Sequence, residues 1–297
     1  MDAKFVLSRI TYPALLGGSL LLVAWLDARA VSHDGIVFVV PLLVGLVTAA
    51  LQRLMPYEPR WRGTARDWSV DLLHFLLSTA LVTAALRMLL YDGATWLALA
   101  QRSLFGFAVW PSSAPLWVQV PLAVLAGDLC SYWAHRACHE VPWAWRIHAV
   151  HHSSERMYLL MSVRNHPLNT ALTYGAQTVP LVALGVDSRV LMYYTIVTAV
   201  IGVLQHSNVD LRTGWLSRVL STPELHRWHH ATDEAAMNCN FAPDTAVWDQ
   251  VFGTRYHPDG REAHDVGIVG SEVPVNFLRH LALPLVLERW MRGIGRA

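Results

Sequence analysis

The residues best suited to chemistry in this chain are histidines grouped at helical spacing. An H-x-x-x-H pair is followed by an H-x-x-H-H box, and a second such box lies far downstream: His135, His139, His148, His151, His152, His226, His229 and His230. Residues at i, i+3 and i+4 share one face of a helix, so each box should present its imidazoles in one direction. Imidazole is the commonest ligand for transition metals. The boxes therefore predict a metal site, against the simpler interpretation that fifteen histidines are scattered by chance.

The composition indicates that much of the surface faces lipid. Of the 297 residues, 54% are hydrophobic and only 15% are charged, whereas soluble domains carry about 25% charged residues. Thirteen tryptophans suit the membrane interface. A formal net charge of +1 gives no support for nucleic-acid binding. The three scattered cysteines argue against a disulfide framework.

Uncharged or nearly uncharged runs predict an all-α integral membrane protein with about four to six membrane helices. The runs are Ile10–Leu26, Gly35–Leu51, Leu72–Leu86, Leu116–Trp133, Pro167–Val186 and Val190–Gln205. A seventh run, Leu281–Leu287, is too short to cross a membrane.

Basic residues predict the orientation of these helices. Lys4 and Arg9 precede the first run, and four arginines follow the second, which puts both ends of that hairpin in the cytoplasm. Continuing the alternation places every histidine box, and His206 at the end of the last run, in a cytoplasmic helical cap. Nine imidazoles exceed the four of a closed zinc site, so two ions are favoured. Nitrogen ligands suit iron, copper, zinc or nickel.

Other polar residues could support the site, because ligating imidazoles usually donate their second N–H to a carboxylate or carbonyl. Asp128 is the favoured candidate, two helical turns before His135 in an apolar helix. Asp249 is another, although a salt bridge or helix cap explains it equally well. His166 could also reach the site. The expectation for the remaining histidines is a packed helix position for His74 and surface positions for His33, His257, His264 and His280.

Five stretches together resemble the fatty acid hydroxylase/sterol desaturase superfamily of membrane-bound, non-haem di-iron oxygenases. They are DLCSYWAHRACH, RIHAVHHSS, RNHPLN, LQHSNVDL and TPELHRWHH, and the later WDQVFGT is also similar. The resemblance divides the chain into N-terminal membrane helices (1–115), a catalytic domain (116–256) and a C-terminal cytoplasmic or interfacial tail (257–297).

The resemblance implies an enzyme that uses O2 and two electrons to hydroxylate or desaturate a lipid. It also implies nine iron ligands, with no catalytic residue beyond them: His135, His139, His148, His151, His152, His206, His226, His229 and His230. Zinc is a possible occupant as purified. Relatives with H-x-x-x-H before the last box would need a histidine at Gly202, so a water, His166 or Asn208 could replace that ligand. Electrons would come from a separate ferredoxin- or cytochrome b5-like protein with its reductase.

Two other classes of function compete with the oxygenase hypothesis. A metal transporter or storage protein also combines spans with histidines, but transport sites usually place ionisable residues within the spans. A bis-histidine haem protein would leave the tandem boxes unexplained. The lipid substrate and the choice between hydroxylation and desaturation stay open at this point.

Overall fold

The chain folds into helices joined by short connections and by one long polar segment. The computed structural model describes residues 3–105, 109–270 and 273–290, and among these there is no strand, only isolated bridges. The α-helices are α1 Ala3–Asp27, α2 His33–Leu54, α3 Ala65–Leu73, α4 Leu81–Phe105, α5 Leu116–Glu140, α6 Pro142–His152, α7 Pro167–Ala183, α8 Ser188–Gln205, α9 Pro223–His229, α10 Glu234–Met237, α11 Val247–Val251 and α12 Phe277–Trp290. A π-helical segment, His74–Ala80, joins α3 to α4 without a break. The predicted all-α class is confirmed.

Four helices in the described ranges are long and apolar enough to cross a membrane. They are α1, α2, the continuous run Ala65–Leu90 and α8. This number is the lower end of the predicted range. Two of the six predicted spans do not qualify: α7 has only 17 residues, and the second half of α5 carries charged residues and histidines that lower its hydropathy.

The candidate membrane helix α2 has one packed face and one exposed apolar face. On α2, Val40 and Val44 are buried in a core that also contains Ile196 of α8. On the opposite side of α2, Phe38 is 68% exposed and Leu46 is 61% exposed. Large exposed apolar surfaces are rare on soluble monomers, so this face is the one that would contact lipid.

A buried ion network fixes the start of the candidate membrane helix Ala65–Leu90. Thr64 and Asp67 form a capping box at the first turn of α3. Arg164 is 1% exposed and donates from Nε to Asp71 at 2.6 Å and from Nη2 to Asp67 at 3.3 Å. Removing one member of such a buried pair leaves an uncompensated charge. The network therefore holds the segment after α6 against the end of a membrane helix.

The polar segment after α8 folds back over the ends of α5 and α8. The Gln205 side chain donates from Nε2 to the carbonyls of Ser221 and Pro243. The Asp128 carboxylate accepts from the backbone N–H groups of Asp244 and Thr245. These bonds bring α9, which carries the last histidine box, to the ends of the helices that carry the others.

Candidate metal centre

Nine buried or half-buried histidines come together in two groups at the ends of α5, α6, α8 and α9. The five-histidine group is His135, His139, His148, His152 and His229, and the four-histidine group is His151, His206, His226 and His230. Within each group, the nearest ring nitrogens all lie within 4.8 Å of one another. These are the nine histidines that the sequence singles out.

Each H-x-x-H-H box is divided between the two groups. In the box on α6, His148 and His152 belong to the five-histidine group and His151 to the four-histidine group. In the box on α9 the division is reversed, because only His229 joins the five-histidine group. The expectation that each box points in one direction is therefore wrong. Positions i+3 and i+4 point in directions far enough apart to reach two adjoining centres.

The two groups adjoin each other. The ring centroids of His152 and His230 are 4.4 Å apart, with the rings stacked. Those of His226 and His229 are 5.4 Å apart. Both pairs join a member of one group to a member of the other, so the groups form one continuous centre.

Backbone carbonyls set the orientation of several rings. The Nδ1 atoms of His135, His206 and His229 lie 2.7, 2.9 and 2.8 Å from the carbonyls of Phe241, Gly202 and Cys239, respectively. A carbonyl can only accept, so each Nδ1 carries the proton and donates it. Each Nε2 is then left with a lone pair. This is the arrangement by which outer groups usually fix a metal-ligating imidazole.

The facing nitrogens of His135 and His148 form a pair of donors suited to a cation. The Nδ1 of His148 donates to Oδ1 of Asn169 at 3.1 Å, so its Nε2 also presents a lone pair. The Nε2 atoms of His135 and His148 are 3.0 Å apart. Burial lowers the pKa of His148 well below its usual value, so a bound proton does not relieve the repulsion at neutral pH. A metal ion does, and the donor set therefore fits a metal.

The remaining predicted residues lie outside both groups. Asp128 was predicted to accept a hydrogen bond from a ligating histidine ring. Its carboxylate instead accepts from the backbone N–H groups of Asp244 and Thr245. Asp249 acts one step further out: its carboxylate accepts from the N–H groups of Phe241 and Ala242, and so holds the carbonyl that orients His135. Burial raises the pKa of Asp249 to about 6.

Of the three substitutes proposed for the ligand missing at Gly202, the two side chains do not reach the centre. The Nδ1 of His166 accepts from the N–H of Leu168 at the start of α7. The Asn208 side chain holds the 58–61 turn by accepting from the N–H of Glu58 and donating to its carbonyl. Both residues have structural partners, which removes them from the candidate ligands.

The other histidines mostly follow expectation. His74 is packed, with Nδ1 at 2.9 Å from the Asn165 carbonyl and Nε2 at 3.0 Å from Nδ1 of His280. His257 and His264 are exposed and His33 is half-buried. The surface position expected for His280 is wrong, because it is 1% exposed. Sequence reasoning also missed Asn169, although it lies in the RNHPLN motif.

Comparison with known proteins decides the family. The family model described as fatty acid hydroxylase matches residues 120–254, a segment that contains all nine histidines. Ornithine lipid hydroxylase OlsE of Rhizobium tropici is 35% identical over 290 residues, which cover 97% of this chain and 87% of that protein. The chain belongs to the fatty acid hydroxylase/sterol desaturase superfamily. Members of this superfamily oxidise lipids, and the predicted enzyme class is confirmed.

Two further relatives each match less than half of the chain. Human alkylglycerol monooxygenase is 33% identical over 132 residues, which cover 44% of this chain and 29% of that protein. Fatty acid hydroxylase vlmA of Lecanicillium is 28% identical over 163 residues, or 46% and 42% of the two chains. No solved structure matches the chain.

Proposed function

We propose that this enzyme is a di-iron, O2-dependent hydroxylase of a membrane lipid with an amino-acid headgroup. The observation that carries the proposal is the pair of adjoining histidine groups at the ends of apolar helices. Two groups suit two ions, and all-nitrogen ligation suits a redox metal and disfavours magnesium and calcium. Zinc binds the same donors and can replace iron in a purified sample.

The nine histidines would hold the metals, and the residues behind them would keep their lone pairs aimed inward. Bound iron would supply the activation of O2 and the oxidation of a substrate C–H bond. The chain contributes rigid ligands through the carbonyls of Phe241, Gly202 and Cys239 and the amide of Asn169. It also contributes a site screened from bulk water, since eight of the nine rings are buried.

The activities of the relatives support hydroxylation over desaturation. Those named above are hydroxylases or a monooxygenase. The relative that matches almost the whole chain is an ornithine lipid hydroxylase, whereas the alkylglycerol monooxygenases match less than half of the chain. An acylated amino acid is therefore the substrate class we propose.

We further propose that the histidine centre faces the cytoplasm and receives electrons from a separate ferredoxin- or cytochrome b5-like protein with its reductase. The positive-inside distribution of Lys4, Arg9 and the 53–66 arginines supports this orientation. Small soluble electron carriers occupy that compartment.

Lipid mass spectrometry tests the function. A host that makes ornithine lipid should gain lipid species heavier by one oxygen atom when it expresses the gene. His151→Ala and His229→Ala, one from each group, should abolish this product and lower the iron content of the purified protein. A new species lighter by two hydrogens would contradict hydroxylation, and full activity in either variant would contradict the metal centre.

A further inference from the structure

A small polar cavity lies beside the histidine centre. It has a volume of about 120 Å³ and is bordered by Asp67, Ser153, Glu155, Arg156, Arg164 and Val273. Ser153 directly follows His152, so one wall continues the helix that carries the second histidine box. Asp67 lies in the first turn of the membrane helix Ala65–Leu90. The cavity therefore adjoins both the C-terminal end of the histidine-bearing helix α6 and the first turn of a candidate membrane helix.

The cavity contains charges of both signs, and two of them are available to a ligand. Arg164 is held by Asp71 and Asp67 on its inner side. The guanidinium of Arg156 makes no hydrogen bond within the described ranges and has only an ion pair of 3.7 Å with Asp67. The Glu155 carboxylate has no hydrogen bond or ion pair to any described residue and is exposed. An available cation thus stands next to an available anion.

The size and charge of the cavity restrict the ligand. A water molecule occupies about 30 Å³ in the liquid, so the cavity holds roughly four waters or a compact headgroup, and not an acyl chain. An inorganic phosphate has no cationic group to pair with the Glu155 carboxylate, which borders the cavity. A zwitterionic amino acid matches better, because a guanidinium pairs with a carboxylate in a forked geometry and a carboxylate pairs with an ammonium group.

We propose that this cavity binds the zwitterionic amino-acid headgroup of the lipid substrate, with its carboxylate on Arg156 and its ammonium group on Glu155. The assignment rests on the proposed function in taking a lipid as the ligand. Ser153 and the charged side chains would hold the headgroup beside the centre, and the acyl chains would extend into the membrane next to Ala65–Leu90. Arg156 and Glu155 are thus binding residues that determine specificity.

Lipid binding measured by native mass spectrometry tests the proposal without requiring turnover. The probes are ornithine lipid, its carboxyl methyl ester and its N-acetylated form, each presented to the full-length protein in nanodiscs. We expect wild type to bind ornithine lipid at least tenfold more tightly than either capped form. Arg156→Gln should remove the discrimination against the methyl ester, and Glu155→Gln should remove the discrimination against the N-acetylated form.

Arg62→Gln is the matched control, since Arg62 is an exposed arginine outside the cavity, and it should bind as wild type does. Equal binding of all three probes by wild type, or unchanged discrimination in both cavity variants, would overturn the proposal. The proposal would also be overturned if free ornithine displaced ornithine lipid at the concentration at which the lipid itself binds. The ligand of the cavity would then be a soluble amino acid. If the wild-type protein discriminated among the headgroups but produced no hydroxylated lipid, that result would count against the proposed function alone.

Discussion

At the residue scale, the metal centre depends on hydrogen-bond acceptors behind the histidine rings. Each acceptor holds the ring proton on Nδ1, so that the lone pairs on the Nε2 atoms face each other. Histidines alone do not make a ligand set, because a neutral imidazole can place its proton on either nitrogen. The Phe241 carbonyl and the Asn169 amide settle that choice for His135 and His148. The Nε2 atoms of the two rings lie 3.0 Å apart, and a metal ion bound there would relieve the repulsion between their lone pairs.

Asn169 provides a test at this scale. Asn169→Ala removes the acceptor for His148, and loss of such an outer partner typically costs 10–100-fold in metal affinity. We expect Asn169→Ala to lose iron to a chelator at a correspondingly lower chelator concentration, measured by elemental analysis. Asn169→Asp keeps an acceptor at the same position and should retain the metal. Equal loss from both variants would mean that packing around residue 169 matters and the hydrogen bond does not.

At the element scale, buried carboxylates attach the polar segment to the helix ends. Asp128 of α5 is fully buried and accepts from two backbone N–H groups and the Thr245 hydroxyl. The predicted role as the partner of a histidine ring is wrong because these donors satisfy the carboxylate. Its effect on the metal centre is therefore indirect, through the segment that contains Phe241.

Asp128→Asn should lower the free energy of unfolding by about 1–3 kcal/mol, the cost of leaving buried polar groups unsatisfied. The amide retains one acceptor oxygen but cannot satisfy all three donors. A thermal melt in detergent would measure the loss. Asp34→Asn is the control, because the Asp34 side chain is 79% exposed and surface ion pairs contribute little. A melting temperature equal in both variants would contradict this assignment.

At the scale of the whole molecule, sidedness is the property with the greatest functional consequence. We expect a cysteine introduced by Val31→Cys, in the turn between α1 and α2, to react with an impermeant maleimide in intact cells. A cysteine introduced by Arg62→Cys, in the turn before α3, should react only after permeabilisation. Both substitutions belong in a background in which Cys130, Cys138 and Cys239 are replaced by serine. The opposite labelling pattern would place the histidine centre outside the cell.

The sequence was sufficient to predict the helical class and eight of the nine grouped histidines, because both leave periodic patterns along the chain. The ninth, His206, belongs to no box, and its prediction came from the order of the apolar runs and from the family resemblance. The division of each box between two groups depends on the tertiary placement of α6 against α9, which leaves no local pattern. The orienting carbonyl of Phe241 has no signature either, since every residue has a carbonyl. His280 was misplaced on the surface because its partner, His74, lies 206 positions away.

The shared use of α6 and α9 has a consequence for how the protein matures. Each of these short helices contributes imidazoles to both the five-histidine group and the four-histidine group. Binding of one ion would therefore position ligands for the second ion. Acquisition of metal should then be cooperative. Under limiting iron, a population would consist of fully loaded and bare molecules with few half-loaded ones.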